Sequence, residues 1–147
     1  MLVLLAIAAT LVTTPALILT PQLAQAQQGK FIEGRGTGQA NCPPSGISPP
    51  GDESIFFFAQ KFKGSVGGFF DIGSTVLFLD KEGSITGGHI SGKQFTVTGV
   101  EEIDNLCSSQ VPATITITGQ CGQGVPIQFR ASNGEQGQFT GNVACAK

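Results

Sequence analysis

ATITITGQ, residues Ala113–Gln120, is the stretch whose alternation decides the fold. Successive side chains of a strand point to opposite faces, so Ile115 and Ile117 share one face while Thr114, Thr116 and Thr118 share the other. This is the pattern of a half-buried strand, and threonine suits the solvated side of a sheet. Three octets of the same character surround it: QFTVTGVE (Gln94–Glu101), VPIQFRAS (Val125–Ser132) and QFTGNVAC (Gln138–Cys145). Asn133-Gly134 tolerates the positive φ of a tight hairpin, so the last two octets should pair. DKEG, Asp80–Gly83, reads as a further turn between STVLFLD and SITGGHI.

No part of the chain after the first 26 residues carries a helical period, and 21 glycines would weaken any helix. The expected fold is therefore all-β, an antiparallel β-sandwich or a partly closed β-barrel of about eight to nine strands. Glycines inside strands, as in SVGGFF and ITGGHI, suit bulges or close backbone approach.

Residues 1–29 contain no charge, and Ala24-Gln25-Ala26 offers a small-x-small cleavage point before Gln27. Residues 1–26 thus read as a secretory signal peptide, too interrupted by Thr and Pro to be a good membrane anchor. Residues 27–52 read as an extended arm, or a first strand, followed by a loop in which NCPPSGISPPGD holds four prolines. Residues 53–147 are expected to form the β domain.

Four cysteines, Cys42, Cys107, Cys121 and Cys145, follow the signal segment. In an exported chain an even number reads as two disulfides, and the absence of CxxC spacing argues against zinc. Cys121 and Cys145 sit at the first and third strand ends of one meander, at the same edge. Of three connectivities this favours Cys121–Cys145 with Cys42–Cys107.

The run from FTVTG to the end, with AQKFKG, ITGGHISG, GQCG and GNVAC, resembles small exported β-domain proteins of uncharacterised function associated with archaeal genomes. The resemblance implies export and a β fold. It brings no catalytic or binding residue.

His89 is the single histidine, so any Ser-His-Asp hydrolase would need it, with Asp80, Glu102 or Asp104 as partner. No GxSxG turn accompanies it, and a surface or barrel-mouth histidine is the simpler reading. Simple alternation places His89 on the face of Ile85 and Gly87. Glu101, Glu102 and Asp104 are the densest acidic cluster, but adjacent strand residues face opposite ways, which suits a solvated strand end or a weak calcium site. GRGTGQ, Gly34–Gln39, lacks the Lys-Ser/Thr pair and following helix of a phosphate loop. A net charge of −2 leaves no basic footprint for nucleic acid, and the absence of Trp and Tyr removes the usual sugar-stacking platforms.

SIFFFAQKFKG, Ser54–Gly64, is apolar on both faces. Phe56 and Phe58 are assigned to the core, and Ile55 and Phe57 to a second layer formed by the proline loop, the arm around Phe31 and Ile32, or a neighbouring subunit. Lys61 and Lys63 read as charged gatekeepers against aggregation. The functional expectation is a secreted or cell-surface, non-catalytic structural or adhesive domain without cofactor, self-associating or meeting another surface protein through the arm or a sheet edge. No membrane is expected after signal removal. One alternative is a barrel binding a small apolar ligand among Phe56, Phe58, Phe69 and Phe70. The other is a small secreted hydrolase using His89.

Overall fold

The structure is a computed structural model that describes residues 30–43, 49, 52–74 and 76–146. The expected signal segment, 1–26, and most of the proline loop lie outside the described residues. Eight strands follow one another: β1 (Phe31–Asn41), β2 (Glu53–Phe62), β3 (Ser65–Ser74), β4 (Leu79–Ser91), β5 (Gln94–Asp104), β6 (Ala113–Gln120), β7 (Gly122–Ala131) and β8 (Gln136–Ala146). Each pairs antiparallel with its sequence neighbours. β1 closes on β8 in register from Phe31 opposite Ala146 to Asn41 opposite Gln136, so the sheet is a closed up-and-down barrel.

The predicted all-β class holds, and closure decides between sandwich and barrel. β1 is an integral stave of the wall, so the barrel begins at Phe31 and not at residue 53. Asn133-Gly134 forms the expected β7–β8 turn, with Gly134 at φ 96°. DKEG, by contrast, is no turn. The reversal comes earlier, between the end of β3 at Ser74 and the start of β4 at Leu79, and Asp80–Gly83 run inside β4.

Eight strands enclose an interior just wide enough for side chains to fill. Here the filling is apolar: Phe57, Phe70, Phe95, Phe129 and Phe139 are buried among isoleucines from most of the strands. Glycines of the wall make room for these rings. A Cβ built on Gly34 would lie 2.1 Å from Phe57 Cζ, and one on Gly119 would lie 2.9 Å from Phe95. Outward positions of β5 and β6 are mostly threonines and glutamines, so this part of the wall is polar outside and apolar inside, the inverse of a lipid-facing barrel.

The triple phenylalanine is resolved by this parity. Glu53, Ile55, Phe57 and Ala59 point inward, and Phe56 and Phe58 point outward, which inverts the assignment made from sequence. Ile55 and Phe57 need no second layer, because the closed sheet itself surrounds them. Outside, the Phe56 ring meets that of Phe69 at a tilt, centroids 5.4 Å apart, under the Arg35 guanidinium at 5.1 Å.

The two ends of the barrel differ. One carries the turn residues 76–78, the connections 105–112 and 132–135 and the end of β1, and is rich in acids; the other carries the tight turns 63–64 and 92–93 and exposes Lys30, Lys61, Lys63 and Lys93.

Candidate functional site

Beneath the connections of the acidic end lies a cluster of charges. Period two carries Glu53 inward on β2, in line with Ile55 and Phe57, and Glu101 inward on β5, in line with Phe95 and Val97. Lys81 enters from β4, Asp104 from the end of β5, and Glu135 from the turn before β8. The side chains of Lys81, Glu101, Asp104 and Glu135 are all closed to solvent.

Lys81 is the centre. Its ammonium lies 2.5 Å from Glu135 Oε2, 3.7 Å from Asp104 Oδ1 and 3.8 Å from Glu101 Oε1. Glu53 stands apart at the β1 wall, where its Oε2 accepts the Ala40 N–H at 2.6 Å. Asn133, in the β7–β8 turn, ties the cluster together: its Nδ2 donates to Glu101 Oε2 and to the Gln110 carbonyl, and its Oδ1 accepts the Glu135 N–H. One side chain thus links the 105–112 connection to two acids.

The Cys42–Cys107 disulfide bolts that connection to the end of β1, with Cα atoms 5.2 Å apart. Leu106 joins the core beneath it, and the Cys107 and Ser109 N–H groups donate to Asp104 at 2.8 and 2.6 Å. At the opposite end Cys121 pairs with Cys145. Both pairs are those favoured by the order of the strands.

These surroundings set the acidities. Burial pushes the Glu101 carboxyl up, the negative charge of Glu135 adds to it, and Lys81 only partly offsets them, so the group sits at about 7. Burial likewise holds Glu53 above its ordinary value against the Ala40 hydrogen bond. Burial also acts upward on Asp104, but the two backbone N–H groups and Lys81 outweigh it and hold that carboxyl below the usual range. Glu53 Oε1, Glu101 Oε1, Glu135 Oε1 and Ser109 Oγ have no hydrogen-bond partner. Four buried acids against one ammonium leave an excess of negative charge, and a proton held on Glu101 reduces it.

Asp104, Cys107 and Glu135 bring potential ligand atoms within 4.8 Å of one another. The donor set does not fit a metal ion. The Cys107 sulfur is committed to Cys42, and the position of a cation is taken by the Lys81 ammonium, 3.4 Å from that sulfur and in contact with Glu135.

Other residues singled out from sequence are dispersed. Of Phe56, Phe58, Phe69 and Phe70, only Phe70 points into the barrel, and Phe69 is half exposed outside. His89 is exposed near the lysine end, facing Thr96 across the ladder. Between Ile85 and Gly87 the register shifts, with Thr86 the extra residue of β4, and this breaks the alternation. Gly88 therefore faces the Ile32 and Ala59 side chains within the barrel, and His89 turns away from Ile85. Asp80 and Asp104 lie at the other end of the barrel. Glu101 and Glu102 do face opposite ways, but Glu101 belongs to the buried cluster and not to a solvated strand end, while Glu102 accepts from Ser84 on the outer face.

Beside His89, Ile32, Ala59, Val66, Ile90 and Lys61 line a pocket of about 260 Å³ at the lysine end. Here Ala59 and Gly88 stand where bulkier side chains fill the rest of the barrel.

Sequence reasoning missed Glu53, Lys81 and Glu135. For Glu53 a signal was present, since it shares parity with Ile55, Phe57 and Ala59. The chain is a filled, disulfide-braced, up-and-down eight-stranded barrel with an internal charge cluster. No protein-family model, curated protein or solved structure matches it.

Proposed function

We propose that this chain is an exported, non-catalytic β-barrel serving as a structural or adhesive component of a cell surface or secreted assembly. One observation carries the reading: the barrel interior is filled by its own phenylalanines and isoleucines. Barrels that carry small molecules keep a lumen, and this one spends its interior on cohesion. Two disulfides suit an oxidising compartment outside the cell. The cluster around Lys81 is sealed from solvent and braces the 105–112 connection, a mechanical use of charge.

The test is native mass spectrometry of the protein taken from its own source, with fractionation of envelope and medium. A bare polypeptide with two disulfides, found in the envelope or in multimers, is the expected result. A retained small molecule, or a hydrolytic activity abolished by His89→Ala in a protein of unchanged stability, would overturn the reading. A second reading, binding of a small apolar ligand, draws on the pocket beside Ile32 and Ile90 in place of the four phenylalanines first considered, and the same spectra decide it.

A further inference from the structure

The two ends of the barrel carry features that complete each other. At the acidic end the β3–β4 turn projects Val76, Leu77 and Phe78, and Phe78 is 90% exposed. Leu79 and Ile103 extend the apolar surface at its base. The turn is nevertheless a built one. Ser74 accepts the Phe78 N–H at its carbonyl and the Leu77 N–H at its hydroxyl. Phe78 adopts φ 53°, a left-handed conformation that is uncommon for a bulky side chain and that concentrates at functional positions. A folded chain is holding a phenylalanine out into water at a conformational cost.

At the lysine end lies the pocket floored by Ile32, Ala59, Val66 and Ile90, of about 260 Å³. A cavity of roughly 150 Å³ already admits a benzene ring, so one phenyl group fits. Its rim is basic, with Lys30 and Lys61 lining it and His89 beside them. The apolar turn is followed by acids, with Asp80 next to Leu79 and the exposed Glu82 two residues on, near Asp71 of β3, against Arg130 as the exposed cation toward that end among the described residues. Knob and socket thus match in shape, polarity and sign of charge.

They lie at opposite ends of the same molecule. Ten-residue strands at about 3.3 Å per residue, tilted by about 40°, separate them by roughly 25 Å along the barrel axis, so the turn of one chain cannot reach its own pocket. We infer that the occupant of the lysine-end pocket is the Phe78 turn of a second copy of this chain, and that the barrels join head to tail. Such a contact uses different surfaces on the two partners, and with the surfaces at opposite ends of one axis it propagates into an open chain and does not close after two subunits. The inference rests on the structural reading above and gives that assembly its contact.

Sedimentation velocity of protein carrying both disulfides, from micromolar to millimolar concentration, tests it. At low salt the average mass should rise several-fold with concentration, and it should fall back in 0.5 M salt as the rim charges are screened. Phe78→Ser, which keeps the pocket but lacks the knob, should stay monomeric. So should Lys30→Glu/Lys61→Glu, which keeps the knob but reverses the rim. Mixing the two should give a heterodimer that grows no further, a result that no unfolded or inert variant can produce. A monomeric parent throughout the range overturns the inference. If the parent assembles and Phe78→Ser assembles equally, the head-to-tail contact is wrong while the structural role stands; a monomeric parent that retains a ligand removes both.

Discussion

Without the ammonium of Lys81, Glu101, Asp104 and Glu135 would face one another in a space closed to water. Breaking a buried ion pair from one side strands the remaining charge and costs about 3–5 kcal/mol. Lys81→Met should therefore lower the free energy of unfolding in urea by that order at pH 7, and by less at pH 5, where the acids can take up protons. A loss below about 1 kcal/mol would mean that the ammonium does not hold the cluster together. A second residue-scale test concerns space. Gly34 lies under the Phe57 ring, and a Cβ there would overlap it. Gly34→Ala should cost about 1–3 kcal/mol by overpacking, and Phe57→Leu in the same chain should recover part of the loss. Additive losses in the double variant would show that the glycine serves some purpose other than fitting the ring.

Strand β2 presents phenylalanine to both faces, and the barrel treats the two faces differently. Phe57 packs at 5.4 Å on Phe95 inside the wall, whereas Phe56 and Phe58 lie outside it. Phe57→Ala should cost about 3–5 kcal/mol in thermal or denaturant unfolding. Phe56→Ala, losing only partly exposed contacts with Phe69 and Arg35, should cost about 1 kcal/mol or less. The reverse order would restore the assignment made from sequence. That assignment failed because parity alone cannot orient the run Ile55–Ala59, which is apolar on both faces. Where the faces differ in polarity, as in β5 and β6, the pattern was legible and the structure agrees. β1 shows a different difficulty. Its glycine rhythm reads equally as an extended arm or a first strand, and in the structure Gly34, Gly36 and Gly38 alternate on the inner side, where the Phe57 ring and the β8 backbone leave no space for a side chain. β4 hid most, because Asp80–Gly83 has the composition of a turn while Lys81 takes the inward place, and one extra residue, Thr86, carries His89 to the opposite face. Charge reads as surface in a sequence, and only closure of the sheet reveals that three acids meet around one lysine, with Glu53 buried across from them.

For the whole molecule, the charge cluster ties folding to pH. Glu101 meets Glu135 from the β7–β8 turn, Asp104 from its own strand, Lys81 from β4 and the Asn133 amide, with Glu53 across the barrel. Its folded-state value of about 7 lies above the ordinary 4.5, so the folded chain binds this proton more tightly than the unfolded chain. The stability it contributes is complete below about pH 4.5 and is lost as pH rises to about 7, a change of roughly 3 kcal/mol at 1.36 kcal/mol per unit. Glu53, also raised, acts in the same direction. Asp104 acts in the opposite direction: its stabilising effect is present above the ordinary carboxylate value and disappears as pH falls through its lowered one. The balance places maximal stability in mildly acid solution. Urea unfolding at pH 5 and pH 8 should show a decline of about 2–3 kcal/mol toward pH 8. Glu101→Gln should flatten that decline, since the amide mimics the protonated carboxyl and cannot ionise, while the Asn133 contact can persist. A stability that rises from pH 5 to 8, or a decline that survives Glu101→Gln unchanged, would show that the proton resides elsewhere and that Glu101 is ionised in the folded barrel.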